Sequence, residues 1–585
     1  MKRIRALYNL SFMLITLISA PGLSAQGWLP GDPGIPPVKN IVIEPDELIS
    51  LHIDRDRYIA GENIWFSIYN LDRKSGQLSE KSIIAYVELL NPWNTPVVQR
   101  RFHLSAGRGE GSFILPDSLS SGTYTVRAYT SHMKNFLPDN CFMQNIEIYN
   151  PFKGPDFFRK VTNPGLYYAV RAASADINRF DVNIKADTIY GRRQKIAANI
   201  IIRNSNTDQP GITYFSIAVT PAEASGTCRW PDVQTVINNA TERYDYESDG
   251  HYLCGDVRYR NPGVIDSSDF LYMSVQGKVA EFRYARIDSS GRFRFLLPPD
   301  SKLRNLVLQP EHATGNMVLE IESSFSRIMP ESRVINETIP DSLLEVLSGL
   351  SFNYQAAKIY GTRMKKEIEE IDNSTLKKRR FYGIPEMEVL LDDYISLPTM
   401  QEVFFELVPG IIIRERKSGY DLKITNPLTG NFYDEPPLVM IDGVIINDLK
   451  VLVDLDPETV EKIEVVKTPY LIGELVLHGI VNVITRSGDF SRVTMPEYAV
   501  ILPYRVIDKP AVFTAPDYSD EQGRLSRKPD FRNTLFWDPL VKTNSSGEAE
   551  VVFWTSDLPG MYEINIHGIT ADGKKIAGTK KFRVR

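Results

Sequence analysis

Histidine and cysteine are the first side chains to weigh for chemistry, and this chain of 585 residues holds seven His and three Cys. His251 stands three positions before Cys254, a neighbour that can draw a thiol towards its nucleophilic thiolate. A His in the same loop as a Cys also arises by coincidence, and nothing nearby completes a nucleophilic site. A second reading pairs Cys228 with Cys254 in a disulfide across the polar stretch that holds Asn238, Asn239 and Glu242, leaving Cys141 free. A third leaves all three thiols unpaired, with Cys141 as a small core residue. No His falls in H-E-x-x-H or another ligand spacing, so the sequence announces no metal site. His478 reads as a turn residue, and Asp392 and Asp393 read as solvated turn carboxylates. The run Gly107-Arg108-Gly109-Glu110-Gly111 lacks the Lys-Ser/Thr of a phosphate loop and joins two strands instead of opening a helix. The expectation is a protein without catalytic residues, metal or cofactor, and not an enzyme.

The elements around these residues are expected to be strands. Thirty-seven Gly, thirty-seven Pro and 10% aromatic residues favour short strands and tight turns over helical bundles. A net charge of −6 with mixed signs leaves no footprint for nucleic acid, and Lys377-Lys378-Arg379-Arg380 reads as a solvated run. At the N-terminus, Lys2, Arg3 and Arg5 precede an apolar run from Leu10 to Ala20, followed by small residues up to Ala25. This is the pattern of a signal peptide over 1–25, with a linker over 26–48. No Cys lies there to carry a lipid, and the mature chain has no apolar stretch of membrane-helix length. The chain is therefore expected to be exported, to the periplasm, the outer membrane or the cell surface.

Between 49 and 150, short alternating runs are broken by turn residues, as in a β-sandwich. Asp54, Tyr58, Gly61 and Glu62 form D-x-x-x-Y-x-x-G-E, and 109–130 reads G-x-G-x-F-x-L-P-D-x-L-x-S-G-T-Y-x-x-R-A-Y-T. This resembles the macroglobulin-type domain of alpha-macroglobulins, in the form common in Bacteroidetes envelope proteins. The turn and strand pattern recurs at Ser289-Ser290-Gly291 and at Ser545-Ser546-Gly547. The fold class read from this is mainly β and multidomain: tandem macroglobulin or Ig-like sandwiches, an α+β domain and a helical connector. The expected boundaries are a second sandwich over 155–262, a third β-module over 263–335, and a helical connector over 336–395. An α+β domain over 396–488 and a closing β-domain over 489–585 follow, the latter gaining strands from 498–507. In the connector, Phe352, Ala356 and Ile359 lead a row of apolar residues at helical spacing. The thioester that such a resemblance would imply is missing: Cys254-Gly255-Asp256-Val257 lacks the glutamine that would supply its carbonyl.

The α+β segment carries the second resemblance. Val408-Pro409-Gly410 precedes an Ile-rich strand, and Asp442-Gly443 makes a tight hairpin after Val439-Met440-Ile441. Asp456-Pro457-Glu458 is expected to open a helix, with Glu464 in the next strand and Gly473 and Gly479 framing the last. In this order the segment resembles the plug of a TonB-dependent receptor, whose signature falls on Asp442, Gly443, Glu464, Gly473 and Gly479. It departs where Leu475-Val476-Leu477 replace the small residues that let a plug loop lie against a barrel wall. Only 99 residues follow Arg486, fewer than a barrel of about 22 strands needs. Taken whole, the order of modules resembles a Bacteroidetes family of macroglobulin-plug fusions without a barrel. That resemblance implies a non-enzymatic envelope scaffold or interaction protein whose plug-like domain docks on an outer-membrane protein, an envelope complex or an unnamed small ligand. The alternatives are a separated plug that assists TonB-dependent uptake through a barrel encoded elsewhere, and an enzyme or protease inhibitor of unrecognised type. The closing segment also loosely resembles the sorting domains of Bacteroidetes type IX secretion.

Overall fold

Strand Asn63–Asp72 shows why alternation along this chain is often hidden: Ile64, Phe66 and Ile68 fill one core, yet Trp65 and Tyr69 on the opposite face are buried too. A strand covered on both faces reads as a continuous apolar run. In the computed structural model the described residues are 45–153, 159–161, 180–204, 212–226, 244–259, 270–311, 317–330, 334–336, 341–360, 379–417, 419–490, 495–570 and 572–585. The expected signal peptide and Cys228 lie outside them. The architecture is mainly β and multidomain.

The first sandwich packs the sheet Glu47–Ile53, Asn63–Asp72, Arg108–Ile114 on a five-stranded sheet ordered Arg57–Ile59, Phe142–Tyr149, Gly122–Thr130, Ile84–Leu90, Pro96–His103. The glycines expected not to bind phosphate are packing residues. Gly111 lies opposite Phe66 on the neighbouring strand, and a Cβ there would stand 2.2 Å from the Phe66 ring, so only glycine lets that ring lie over the strand into the core.

The second sandwich corrects the expected boundaries. Strands Phe180–Lys185 and Lys195–Asn204 share a sheet with Glu548–Trp554, and Tyr214–Pro221 sits between Gly560–Ile569 and Phe536–Lys542 in the other. The segments expected as separate domains over 155–262 and 489–585 therefore build one sandwich from both sides. The register pairs Ala198 with Val551 and Ile200 with Ala549. Side-chain alternation fixes which face of a strand is buried but leaves its partner open, so the sequence reading took sequential neighbours.

The third sandwich opens at His251–Tyr259, inside the segment assigned to the second. It sets Arg292–Leu297, His251–Tyr259 and Met317–Ile321 against Glu281–Arg286, Phe270–Val275, Arg304–Pro310 and Val500–Tyr504. Val500–Tyr504 was expected to extend the closing domain; instead it pairs with Arg304–Pro310, Leu306 opposite Leu502.

Helix Asp341–Ile359 packs Leu350 against Ile59 and Ala224. Phe352 and Ile359, expected on its packed face, are exposed, and only Ala356 of the described part of that row is buried. The rest of the row lies outside the described residues. After the helix comes an α+β unit with sheet order Met387–Leu390, Val460–Val466, Ile480–Thr485, Leu438–Ile441, Val444–Ile445. Its first strand precedes the expected start at 396. Thr399 caps helix Met400–Leu407 as the capping pattern predicts, accepting from the Glu402 amide at 3.2 Å. The helix expected from Asp456 is a single 3-10 turn, Pro457–Thr459. Val460 must enter the sheet directly after it, which leaves no room for a second turn. Among the described residues no helix is long and apolar enough to cross a membrane.

Candidate functional site: the seam beneath the α+β unit

Asp442 has φ +47° and Gly443 φ +75°, so both residues of the hairpin lie in the left-handed region that tight hairpins require. The buried Asp442 carboxylate fixes the turn to the end of the neighbouring strand. It accepts from the Thr485 amide at 2.7 Å, the Thr485 hydroxyl at 2.6 Å and the Phe490 amide at 3.0 Å. The outer side of the turn meets the third sandwich. The Asp442 carbonyl accepts from the Gly277 amide at 2.9 Å. A Cβ on Gly443 would stand 3.0 Å from the Val275 carbonyl oxygen.

Behind the turn runs a buried polar chain. Asn482 accepts from the Gly443 amide at 3.3 Å and donates to the Tyr382 hydroxyl at 3.0 Å, which donates to Glu464 at 2.6 Å. Glu464 also meets Arg380 at 2.5 Å and Lys462 at 2.8 Å. Burial alone would raise the Glu464 carboxyl; the hydrogen bonds from Lys462 and Tyr382 and the charges of Lys462 and Arg380 outweigh it and hold the group below its ordinary value. Arg380, expected in a solvated basic run, is thus a structural counter-ion. Sequence reasoning singled out the hairpin and Glu464 but missed Tyr382 and Asn482, which link them.

Gly473 and the bulky residues after it face the same way. Hairpin strands Tyr470–Ile472 and Leu475–Leu477 turn at Gly473, whose Cβ would stand 2.2 Å from the Tyr284 hydroxyl of the third sandwich. Arg286 closes on Glu474 through both guanidinium and carboxylate. Leu475 and Leu477 are buried in one cluster with Met440 and Ile445 of the α+β unit and with Tyr272 and Phe282 of the third sandwich. Removing two Leu side chains from water stabilises such a seam by about 1.5–3 kcal/mol each. Gln309 donates to the Ile445 carbonyl at 2.9 Å, and Lys278 pairs with Glu461. Gly479, with φ +95°, does not touch the seam; a Cβ there would meet Ile424 at 2.8 Å inside the unit.

The remaining candidates resolve into structure. His251 is fully buried, its Nδ1 2.7 Å from Glu247 and its Nε2 2.8 Å from Arg101 of the first sandwich. It is therefore committed to a network that also holds Tyr86 and Tyr504. Burial pushes Cys254 up to about 11, the opposite of what a nucleophile needs. Cys141 and Cys254 are free thiols among the described residues. Asp392 pairs with Arg486 at the surface at 2.6 Å, and His478 Nδ1 lies 3.9 Å from Glu435. The D-x-x-x-Y-x-x-G-E residues form a joint: Asp54 accepts from Tyr58 at 2.6 Å and Thr534 at 2.9 Å, and Glu62 accepts from Asn533 at 2.8 Å. Among the described residues no three His, Cys, Asp or Glu side chains group as a metal site. A cleft of about 320 Å³ lies beside Asp442, Thr485 and Arg486, but the Asp442 oxygens that border it are already engaged.

No protein-family model matches the chain, and no curated protein matches it. Among solved structures it aligns with bacterial alpha-2-macroglobulins. The Salmonella protein reacted with methylamine is 10% identical, with 94% of this chain and 40% of that one covered and a TM-score of 0.24. The native Escherichia coli protein is 11% identical, with 92% and 40% covered and a TM-score of 0.24. The Escherichia coli protein activated by porcine elastase is 10% identical, with 92% and 43% covered and a TM-score of 0.23. The chain spans about 40% of the length of these proteins. Such TM-scores assign neither fold nor activity.

Proposed function

We propose that this chain is a non-enzymatic, exported envelope scaffold whose α+β unit is a plug-like docking module for an outer-membrane partner. One observation carries the reading: the unit is held on the third sandwich by Gly443, Gly473, Leu475 and Leu477, while Ile395, Phe405 and Leu428 of the same unit are left more than four-fifths exposed, at 83%, 82% and 83%. Covering such side chains with a partner would remove them from water, a gain of about 1.5–3 kcal/mol for each one fully buried. The buried thiols and the engaged histidines and carboxylates support a binding role over a catalytic one. The uptake alternative would place the Leu475–Leu477 strand against a barrel wall, a face that the third sandwich already occupies.

Mild crosslinking of intact cells that make the full-length protein tests the proposal. Purification is expected to bring down an outer-membrane protein in a defined adduct. A clean monomer in every preparation would overturn the docking role, and turnover of a substrate would overturn the non-enzymatic one.

A further inference from the structure

Two histidines meet inside the seam between the first and second sandwiches, in a setting built for neutral rings. His52 lies on strand Glu47–Ile53 of the first sandwich and His567 on strand Gly560–Ile569 of the second. Both are buried, their rings stacked at 5.4 Å with an interplanar angle of 17°. His52 Nδ1 is 2.7 Å from the Ser216 hydroxyl, which donates to the His567 carbonyl at 3.0 Å; Tyr69 donates to the same carbonyl at 2.9 Å. Trp537 closes the pocket at 5.2 Å from the His52 ring. The second ring nitrogen of His52, Nε2, is buried with no hydrogen-bond partner among the described residues.

We propose that the His52–His567 pair is a pH-sensitive latch between the first and second sandwiches, closed near neutral pH and released by acid. A proton on His52 Nε2 would place an N–H and a charge where no acceptor waits. A proton on each ring would set two like charges face to face. The surrounding groups add no relief. Around His52 stand Tyr69, Ser216, Trp537 and His567, and Lys575 adds a positive charge near His567. Arg108, donating across the seam to the Ile569 carbonyl at 3.1 Å, is a further cation there. One acid acts with the opposite sign: burial and the charge of Asp538 raise the Glu110 carboxyl, so its protonation favours the closed seam.

Geometry and titration agree in direction. Burial holds His52 at about 3, and burial with the charges of His52 and Lys575 holds His567 well below the ordinary imidazole value. Depressed values in the closed state mean that the open state binds protons first. The contribution of the pair is complete above the free imidazole value of about 6.5 and is lost as pH falls below it.

Spin labels on Trp93→Cys of the first sandwich and Leu540→Cys of the second, both exposed sites, read the separation in the full-length protein. The inter-label distance is expected to be single and sharp at pH 7.5 and to lengthen and broaden between pH 6.5 and about 4.5. His52→Asn, which keeps a polar atom for Ser216, and His567→Gln are each expected to reduce the steepness of that change. Glu110→Gln, which removes the opposing acid, is expected to leave the change in place. A distance that stays constant down to pH 4.5 would overturn the latch, as would an unchanged transition in both histidine variants. If either variant is unfolded at pH 7.5, the other, together with the wild-type pH series, decides.

Discussion

Gly473 and Tyr284 stand so close that no other residue fits between them: a Cβ on Gly473 would lie 2.2 Å from the tyrosine hydroxyl. Gly473 also has φ +56°, so a side chain there meets both backbone strain and a clash. Gly473→Ala is expected to cost about 1–3 kcal/mol and to loosen the α+β unit from the third sandwich. Tyr284→Phe in the same chain removes the clashing hydroxyl and should recover part of the loss. Thermal unfolding of the single and double variants measures both effects, and equal melting of all three would contradict the close contact.

Glu464 makes the α+β unit acid-sensitive. Its carboxyl is held below its ordinary value, so the folded unit loses the contribution of this group as pH falls below the unfolded value of about 4.3. Glu464→Gln removes the buried charge that Arg380 and Lys462 share, leaving Glu388 as their common carboxylate, and is expected to cost about 1–3 kcal/mol near neutral pH. The variant should also show a flatter loss of stability in acid, read by denaturant midpoints at pH 7 and pH 4.

The second sandwich cannot survive loss of the C-terminal segment. Glu548–Trp554 pairs with Lys195–Asn204, and Phe536–Lys542 and Gly560–Ile569 flank Tyr214–Pro221 on its two sides. Truncation before residue 531 is expected to expose 180–221 to protease while the first sandwich stays resistant. A digest of the intact protein should release no stable fragment covering 489–585 alone.

The two described free thiols should be inert. Burial pushes Cys254 to about 11 and Cys141 to about 12. At pH 8 Cys254 carries about two orders of magnitude less thiolate than a free cysteine, and Cys141 about three. Alkylation of the native, reduced protein should be slower by about those factors and become fast on denaturation, with peptide mass mapping to locate the adducts.

How much of this could be read from sequence depends on the range of the interaction. Turns and caps act locally, and Asp442-Gly443 and the Thr399 cap stand where their residue types put them. Sandwich membership acts over hundreds of residues. Lys195–Asn204 shows a strand's alternation, but its partner Glu548–Trp554 lies more than 340 positions away, so Val500–Tyr504 and the closing strands were assigned to the wrong neighbours. The seam was legible only in reverse. Leu475 and Leu477 looked out of place for a surface loop because they are core residues of an interface with Tyr272 and Phe282. The histidines left a usable trace: His52 between Leu51 and Ile53, and His567 after Ile566, sit inside apolar strands, where a polar ring must be buried and neutral.

A photo-reactive phenylalanine analogue at position 405, compared with one at position 477, tests the docking role most directly. Phe405 is exposed and Leu477 is buried in the seam. Irradiation of intact cells is expected to give an adduct between position 405 and an outer-membrane β-barrel protein, recognised by its heat-modifiable migration, and none from position 477. No adduct from position 405, or equal adducts from both positions, would contradict the account.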